Sequence, residues 1–303
     1  MRGPRVVGLG LCVIDHLYRV DGLDLSSGRV RYRERQVSNG GMTATALAQA
    51  AALGCDAHLL SAVGDDAEGR FLRRTLRALG VRTGRLVLSR RTPTTVAVVL
   101  VEARSGERRF VVADRRQIEV RAPSFDLAPI TPGCVLLVDG HFPAQALRAA
   151  RRARAVGATV VGDFHRETPG VRRLLPWVDH PIVPLEFAEQ RGSDPRRTLR
   201  DLAALCRGTP VVTLGRRGGI SLEGGRVRRF RAFPTRVLDT TGAGDVLHGA
   251  FAAGLAHGLP FEASLELGAR AAARACTALG GSARLLPLAE LTRMRRALPT
   301  GRG

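Results

Sequence analysis

Short runs of branched apolar residues recur along this chain with helically spaced stretches between them, and few folds satisfy that alternation. The runs RVVGLGLCVI (5–14), DAHLLSAVG (56–64), CVLLVDG (134–140), ATVVGDF (158–164), HPIVP (180–184) and PVVTLG (210–215) are largely apolar. A strand that is apolar on both sides must be covered on both sides, which points to a parallel sheet between helical layers. Helical spacing fills 42–54, 68–80, 243–257, 261–280 and 288–297; in the second of these Leu72, Leu76 and Leu79 share a face. Two segments, 16–38 and 94–114, break the rhythm. Both read as β without intervening helices, and RSGE in the second is a hairpin turn. They are expected to pair into a small sheet standing off the main body as a lid. With no Pro/Ser-rich linker and no internal repeat, residues 1–303 are expected to form one α/β domain.

The net charge of +20 raises the question of a polyanionic partner. All 47 basic residues are Arg, clustered at RRAR (151–154), RRFR (228–231) and RMRR (293–296). Only 4% of residues are aromatic and no nucleic-acid motif accompanies the charge, so Arg reads as standing in for Lys on solvated faces. Nucleic acid is therefore not the expected partner, although a basic surface draws in anionic substrates such as nucleotides. Cys12, Cys55, Cys134, Cys206 and Cys276 are scattered and form no CxxC pair, which argues against a disulfide framework or a zinc site. No apolar run is long enough to span a bilayer, and MRGPRVVGLG lacks the h-region and cleavage pattern of a signal peptide. A cytoplasmic setting without membrane attachment is expected.

The stretch DTTGAGDVLHGAF, Asp239 to Phe251, carries the chemistry. A Gly-rich turn that opens a helix leaves several N–H groups unpaired at the positive end of the helix dipole. Such a turn suits a phosphoryl group that gathers charge during transfer. Asp245 lies beside it, placed to take a proton from an attacking hydroxyl. Elsewhere, His141 follows LLVDG at the C-terminal end of a strand, where α/β sites gather, and is a candidate for contact with substrate. Arg166 in DFHR also follows a strand, within reach of a phosphate, while His248 reads as a packing residue.

DTTGAGDVLHGAF resembles the C-terminal signature of the ribokinase-like carbohydrate kinases, the phosphofructokinase B (PfkB) family. The resemblance continues in order through GLCVID (10–15), NGGMTATALAQAAALG (39–54), AVGDDAEGRFLRRTLRALGV (62–81), VVTLGRRGG (211–219) and CTALGGSARLLP (276–287). It implies a three-layer α/β/α Rossmann-like fold with a mostly parallel central sheet and a small β-sheet lid. It also implies ATP, Mg²⁺ and a monovalent cation, a sugar acceptor, and in some relatives a homodimer formed through the lid. By the same resemblance Asp245 is the base, and Gly242, Ala243 and Gly244 supply the anion hole. Asp15, Asn39, Gly40, Gly41 and Thr45 face the sugar, while Thr213, Gly215 and Gly218 face the nucleotide.

The departures from the pattern matter as well. Much of the family carries Asn where this chain has Thr45, and the metal-linked NxxE motif falls on Val183 to Glu186 with its Asn replaced. Glu186 is left to act on the metal through water. Thr45 and DVLHGAF resemble the branch containing sulfofructose kinase, which grips a sulfonate with basic and amide groups. Arg29 is the candidate basic group, but Val111 and Val112 stand where an amide is expected, which argues against sulfofructose itself.

The reading that follows is an ATP-dependent kinase acting on a primary hydroxyl of a ketose-like or ribose-like sugar. A nucleoside acceptor is the alternative, but few aromatic residues are available near the lid to stack a base: Tyr18 and Tyr32 are the only tyrosines and Phe110 the nearest Phe. A catalytically silent protein binding nucleotides or nucleic acid is the reading from another class, and the intact base and glycines argue against it.

Overall fold

The computed structural model describes residues 3–24, 26, 28–113 and 125–298. Its main sheet has eight strands in the order β14-β13-β12-β11-β10-β9-β1-β4. From β12 (Val211–Thr213) through β11 (His180–Pro184), β10 (Thr159–Asp163), β9 (Val135–Val138) and β1 (Arg5–Leu9) to β4 (Asp56–Leu60), every pairing is parallel. The hairpin β13 (Gly219–Glu223) and β14 (Arg226–Phe230) extends the sheet antiparallel, and the RRFR cluster sits on that outermost strand.

Adjacent apolar residues on these strands divide between the two faces because side chains alternate along a strand. Val6, Leu137, Val161, Ile182 and Val211 pack with α1 (Met42–Ala52), α2 (Ala67–Ala78), α7 (Ala243–Ala256), α8 (Phe261–Ala275) and α9 (Leu288–Ala297). Val7, Leu136, Val160, Val183 and Val212 pack with α3 (Pro143–Ala155), α4 (Pro169–Leu174), α5 (Leu185–Glu189) and α6 (Pro195–Ala203). Burying each such side chain contributes about 1.5–3 kcal/mol, so both layers are held by the same short strands. This is the three-layer α/β/α arrangement expected from the sequence.

The second sheet is the lid, in the order β3-β2-β7-β8. It comprises β2 (Val13–Val20), β3 (Tyr32–Gly40), β7 (Val96–Glu102) and β8 (Arg108–Val112). Leu17, Val99 and Val101 of its inner face close a small core with Leu279 of the main body. Residue 114, the end of the expected lid segment, lies outside the described residues.

Three boundaries differ from expectation. The run 5–14 is two strands, because the chain leaves the main sheet after Leu9 and re-enters β structure at Val13, three residues before the expected start of the lid. The reason lies in the connecting turn: Leu11 N donates to Asp139 Oδ2 at 2.6 Å and Ile14 N donates to Thr95 O at 3.0 Å, so the backbone changes partner sheet. DAHLLSAVG likewise splits into β4 and a short β5 (Ala62–Gly64), which pairs with β6 (Val87–Ser89) outside the main sheet. The helix expected over 261–280 ends at Ala275, where the closing loop begins.

Helix α7 is apolar all round, since it lies between the sheet, α1 and α8. Its backbone approaches α1 so closely that a Cβ on Gly249 would lie 2.0 Å from the Ala46 carbonyl oxygen. That contact is backbone and cannot rotate away. Gly249→Ala is therefore expected to destabilise the fold by about 1–3 kcal/mol, read as a lower urea midpoint at unchanged m.

Candidate active site

Parallel strands end on one edge of their sheet, so whatever follows each C-terminus gathers there. Asp139 follows β9, Asp163 ends β10, Glu186 lies in the first turn of α5 after β11, and Gly215 and Gly218 follow β12. The N-terminus of α7, which packs against β1, β9 and β10, reaches the same edge. Gly242 caps that helix in the left-handed region at φ 71°, where its Cβ, if present, would lie 2.8 Å from Gly281 Cα. Ala243 N donates to Thr240 O at 3.3 Å and Val246 N to Gly242 O at 2.9 Å. Among the described residues the amides of Gly242, Gly244 and Asp245 have no acceptor. Of the expected set only the Ala243 N–H is taken up, in closing the turn, and Asp245 adds a further open amide. A Cβ on Gly244 would meet nothing within 4 Å, so the site is open on that side.

The turn is fixed from behind and from above. Asp239, buried beneath it, accepts from Thr241 N at 2.8 Å and from Gly280 N at 2.7 Å, joining the turn to the closing loop. From above, Arg108 of β8 donates to Thr240 Oγ1, and that hydroxyl donates to Gly106 O in the lid hairpin at 3.2 Å. Gln49 of α1 clamps the closing loop, accepting from Leu286 N at 2.8 Å and donating to its carbonyl at 3.0 Å.

Asp15 stands on the inner face of β2, where a Cβ on neighbouring Gly40 would lie 2.1 Å from its carboxylate. Any side chain at that position would displace the Asp15 carboxylate. Burial, followed by the charges of Asp245 and Asp239, pushes the Asp15 carboxyl up to about 7. Asn39, next along β3, is buried and donates to Ser282 Oγ at 2.9 Å. Gly41 caps α1, and the buried Thr45 on that helix would touch a Cβ on Gly242 at 3.3 Å, so the paired glycines and the turn are neighbours.

A second group surrounds Asp245. The ligating atoms of Asp163, His165 and Asp245 lie within 4.8 Å of one another. Burial, together with the Asp245 charge, lifts the Asp163 carboxyl well above its ordinary value. Burial also raises Asp245, against the pull of His165, His248 and Arg108. Burial holds His248 down; its Nδ1 lies 2.7 Å from Gly244 O and its Nε2 3.2 Å from Ile182 O, which ties α7 to β11. Burial acts to raise Asp139, but His141 and the Leu11 N–H more than offset it, and the carboxyl lies below the usual range. His141 is thereby held on Asp139, with Nδ1 at 3.2 Å from Oδ1.

Arg166 is exposed beside His165, and Arg29 is exposed in the β2–β3 connection. Thr213 ends β12 opposite Gly219, and Gly215 and Gly218 flank the 3₁₀ turn that follows, where φ is positive at both. Sequence reasoning passed over Asp139, Asp163, His165, Asp239 and Arg108. For the first two the signal was present, since each ends an apolar run just as the segment before His141 does.

The chain matches the pfkB family of carbohydrate kinases over residues 4–287 and belongs to that family. It is 27% identical to the ribokinase of Bacillus subtilis, over 90% of this chain and 92% of the relative. It is 30% identical to the fructokinase of Klebsiella pneumoniae, over 81% of this chain and 86% of the relative. The aminoimidazole riboside kinase of Salmonella typhimurium is 27% identical, over 81% of this chain and 82% of the relative. The ribokinase of Arabidopsis thaliana, solved with ribose and ATP, shares the fold at a TM-score of 0.80 and 21% identity, covering 96% of this chain and 98% of that one. The chain is thus a kinase of sugars or nucleosides. No described helix is long and apolar enough to cross a membrane.

The charge on Asp15 has a measurable cost. Its folded value of about 7 lies above the unfolded value near 4, so its contribution favours folding below about pH 4 and is lost as pH rises through 7. Asp15→Asn, which cannot ionise, is expected to be more stable than the native chain at pH 8, by about 2–4 kcal/mol, with the difference shrinking toward pH 4. Urea unfolding at the two pH values measures it.

Proposed function

We propose that the chain transfers the terminal phosphoryl group of ATP to a primary hydroxyl of a sugar or sugar derivative. The observation that carries this reading is the Asp245 carboxylate in the first turn of α7, beside amides that have no acceptor. Asp245 takes the proton of the attacking hydroxyl, and its raised pKa suits a base working near neutrality. The open amides of Gly244 and Asp245, with the dipole of α7 behind them, hold the negative charge that gathers on the phosphoryl oxygens. Asp15 and Asn39 orient the acceptor, with Gly40, Gly41 and Thr45 shaping the space around it. Thr213, Gly215 and Gly218 face the nucleotide.

Mg²⁺, when bound, neutralises charge on the nucleotide phosphates. Glu186 is the candidate outer ligand, since its exposed carboxylate stands in the first turn of α5 at the strand ends. Val183 contributes nothing to the metal, because it is fully buried in the α3–α6 layer where the family pattern has Asn.

A nucleoside acceptor remains the second reading, favoured by Phe110. It pairs with Val99 and so shares the inner face of the lid with Asp15, where it is 48% exposed and available to a ring. Tyr18 and Tyr32 form an edge-to-face pair at 5.3 Å, but Tyr18 points from the opposite face of β2. A homodimer through the lid rests on β8, an edge strand whose Val111 and Val112 are exposed by 61% and 60%.

The test is ATP turnover across a panel of ribose, ketoses and nucleosides. Acceptor-dependent ADP release is expected for one of these classes, and Asp245→Asn is expected to lower kcat by about 10²–10⁴ while the protein stays folded. Unchanged turnover in that variant would overturn the assignment of the base.

A further inference from the structure

We propose that Asp163, His165 and Asp245 form a site for a divalent transition-metal ion that binds without nucleotide. Three observations point to it. First, one donor atom from each of the three side chains converges within 4.8 Å. Second, Asp163 is 1% exposed and its Oδ2 is buried with no hydrogen-bond partner among the described residues. An unpaired carboxylate in that position is costly, and a cation is the partner that removes the cost most fully. Third, the convergence is built by the fold: Asp163 ends β10, His165 follows two residues later, and Asp245 arrives from the first turn of α7.

The neighbouring groups leave the place open. His248 comes within 3.4 Å of Asp163 Oδ2, but its Nδ1 is directed to the Gly244 carbonyl at 2.7 Å. Asp139 is occupied by Leu11 N, Thr43 Oγ1 and His141. Arg108 is drawn to Thr240. His165 Nε2 stands 4.0 Å from Asp163 Oδ1, too far for a hydrogen bond. Two donors each at about 2.1 Å from one ion lie roughly 3.0–3.4 Å apart at cis or tetrahedral angles, so the imidazole must move in by about 0.6–1 Å to share an ion with Asp163. The imidazole is 56% exposed and free to swing through the remaining gap.

Donor chemistry sets the class of ion. Two carboxylates suit Mg²⁺, Ca²⁺ or Mn²⁺, and the added imidazole widens the set to Fe²⁺ and Zn²⁺. Such an ion shares the Asp245 carboxylate with any proton that group would take, so its binding and base function compete. This site is distinct in its residues from Glu186.

Mn²⁺ is the probe, since its free-ion electron paramagnetic resonance signal falls as it binds. The native chain without nucleotide is titrated alongside His165→Ala and Asp163→Asn. One Mn²⁺ per chain is expected, still held against a tenfold excess of Mg²⁺, with affinity at least tenfold weaker in His165→Ala. His165 is exposed, so that variant keeps its fold; Asp163→Asn should weaken binding in parallel. Absence of Mn²⁺ binding to the native chain, or equal affinity in His165→Ala, overturns the proposal. Neither result touches the kinase reading, which stands or falls on acceptor-dependent ATP turnover with Mg²⁺.

Discussion

Acid side chains buried around one helix N-terminus set the terms for this molecule. Asp15, Asp139, Asp163 and Asp239 are all at most 8% exposed, and Asp245 projects from the first turn of α7 among them. Removing a carboxylate from water is expensive unless donors replace the lost solvent. Two of the five are supplied with donors. Asp239 receives two backbone amides and Asp139 receives an amide, a hydroxyl and an imidazole, so each works as a structural tie between loops. The other three are undersupplied, and their carboxyls are raised. The partial positive charge of α7 and the nearby Arg108 limit that cost without cancelling it.

The parallel sheet is what makes this concentration of charge feasible. Each strand is anchored through both faces by apolar pairs such as Val160–Val161 and Val211–Val212, which leaves its C-terminal end free to carry a polar residue. The lid contributes from the opposite side through the same alternation: Leu17 and Val99 fix its inner face on Leu279, and Asp15 shares that face. Position and chemistry are therefore separable along each strand. Core residues decide where the end of the strand lies, and the residue after it decides what happens there.

Much of this was legible in the sequence. The apolar dipeptides marked the sheet and its two helical layers, and the two β segments without helices marked the lid, because side-chain periodicity is local information. DTTGAGD was legible as a helix start with open amides for the same reason. The chain's exit from the main sheet at Gly10 was not, since Leu11 finds its partner on Asp139, 128 residues away. Pairings of that range also hid Asp163, which looked like the end of a strand until Asp245 was brought against it. In DFHR, Arg166 drew attention because it follows a strand, whereas only the fold shows that Asp163 is buried and that His165 stands beside it and Asp245. Which amide of the turn stays open was equally beyond reach, because it depends on Ala243 closing back on Thr240.

The bond between Arg108 and Thr240 carries a mechanical consequence. Thr240 precedes the open amides by only a few residues, and its hydroxyl is held by the hairpin at both Arg108 and Gly106. Swinging the hairpin outward breaks both attachments at once and leaves the turn held only from behind, through Asp239. A gate that supports the floor beneath it cannot stand ajar while that floor bears weight. Hairpin and turn therefore share one hinge point, the Thr240 hydroxyl, and neither shifts without the other registering it.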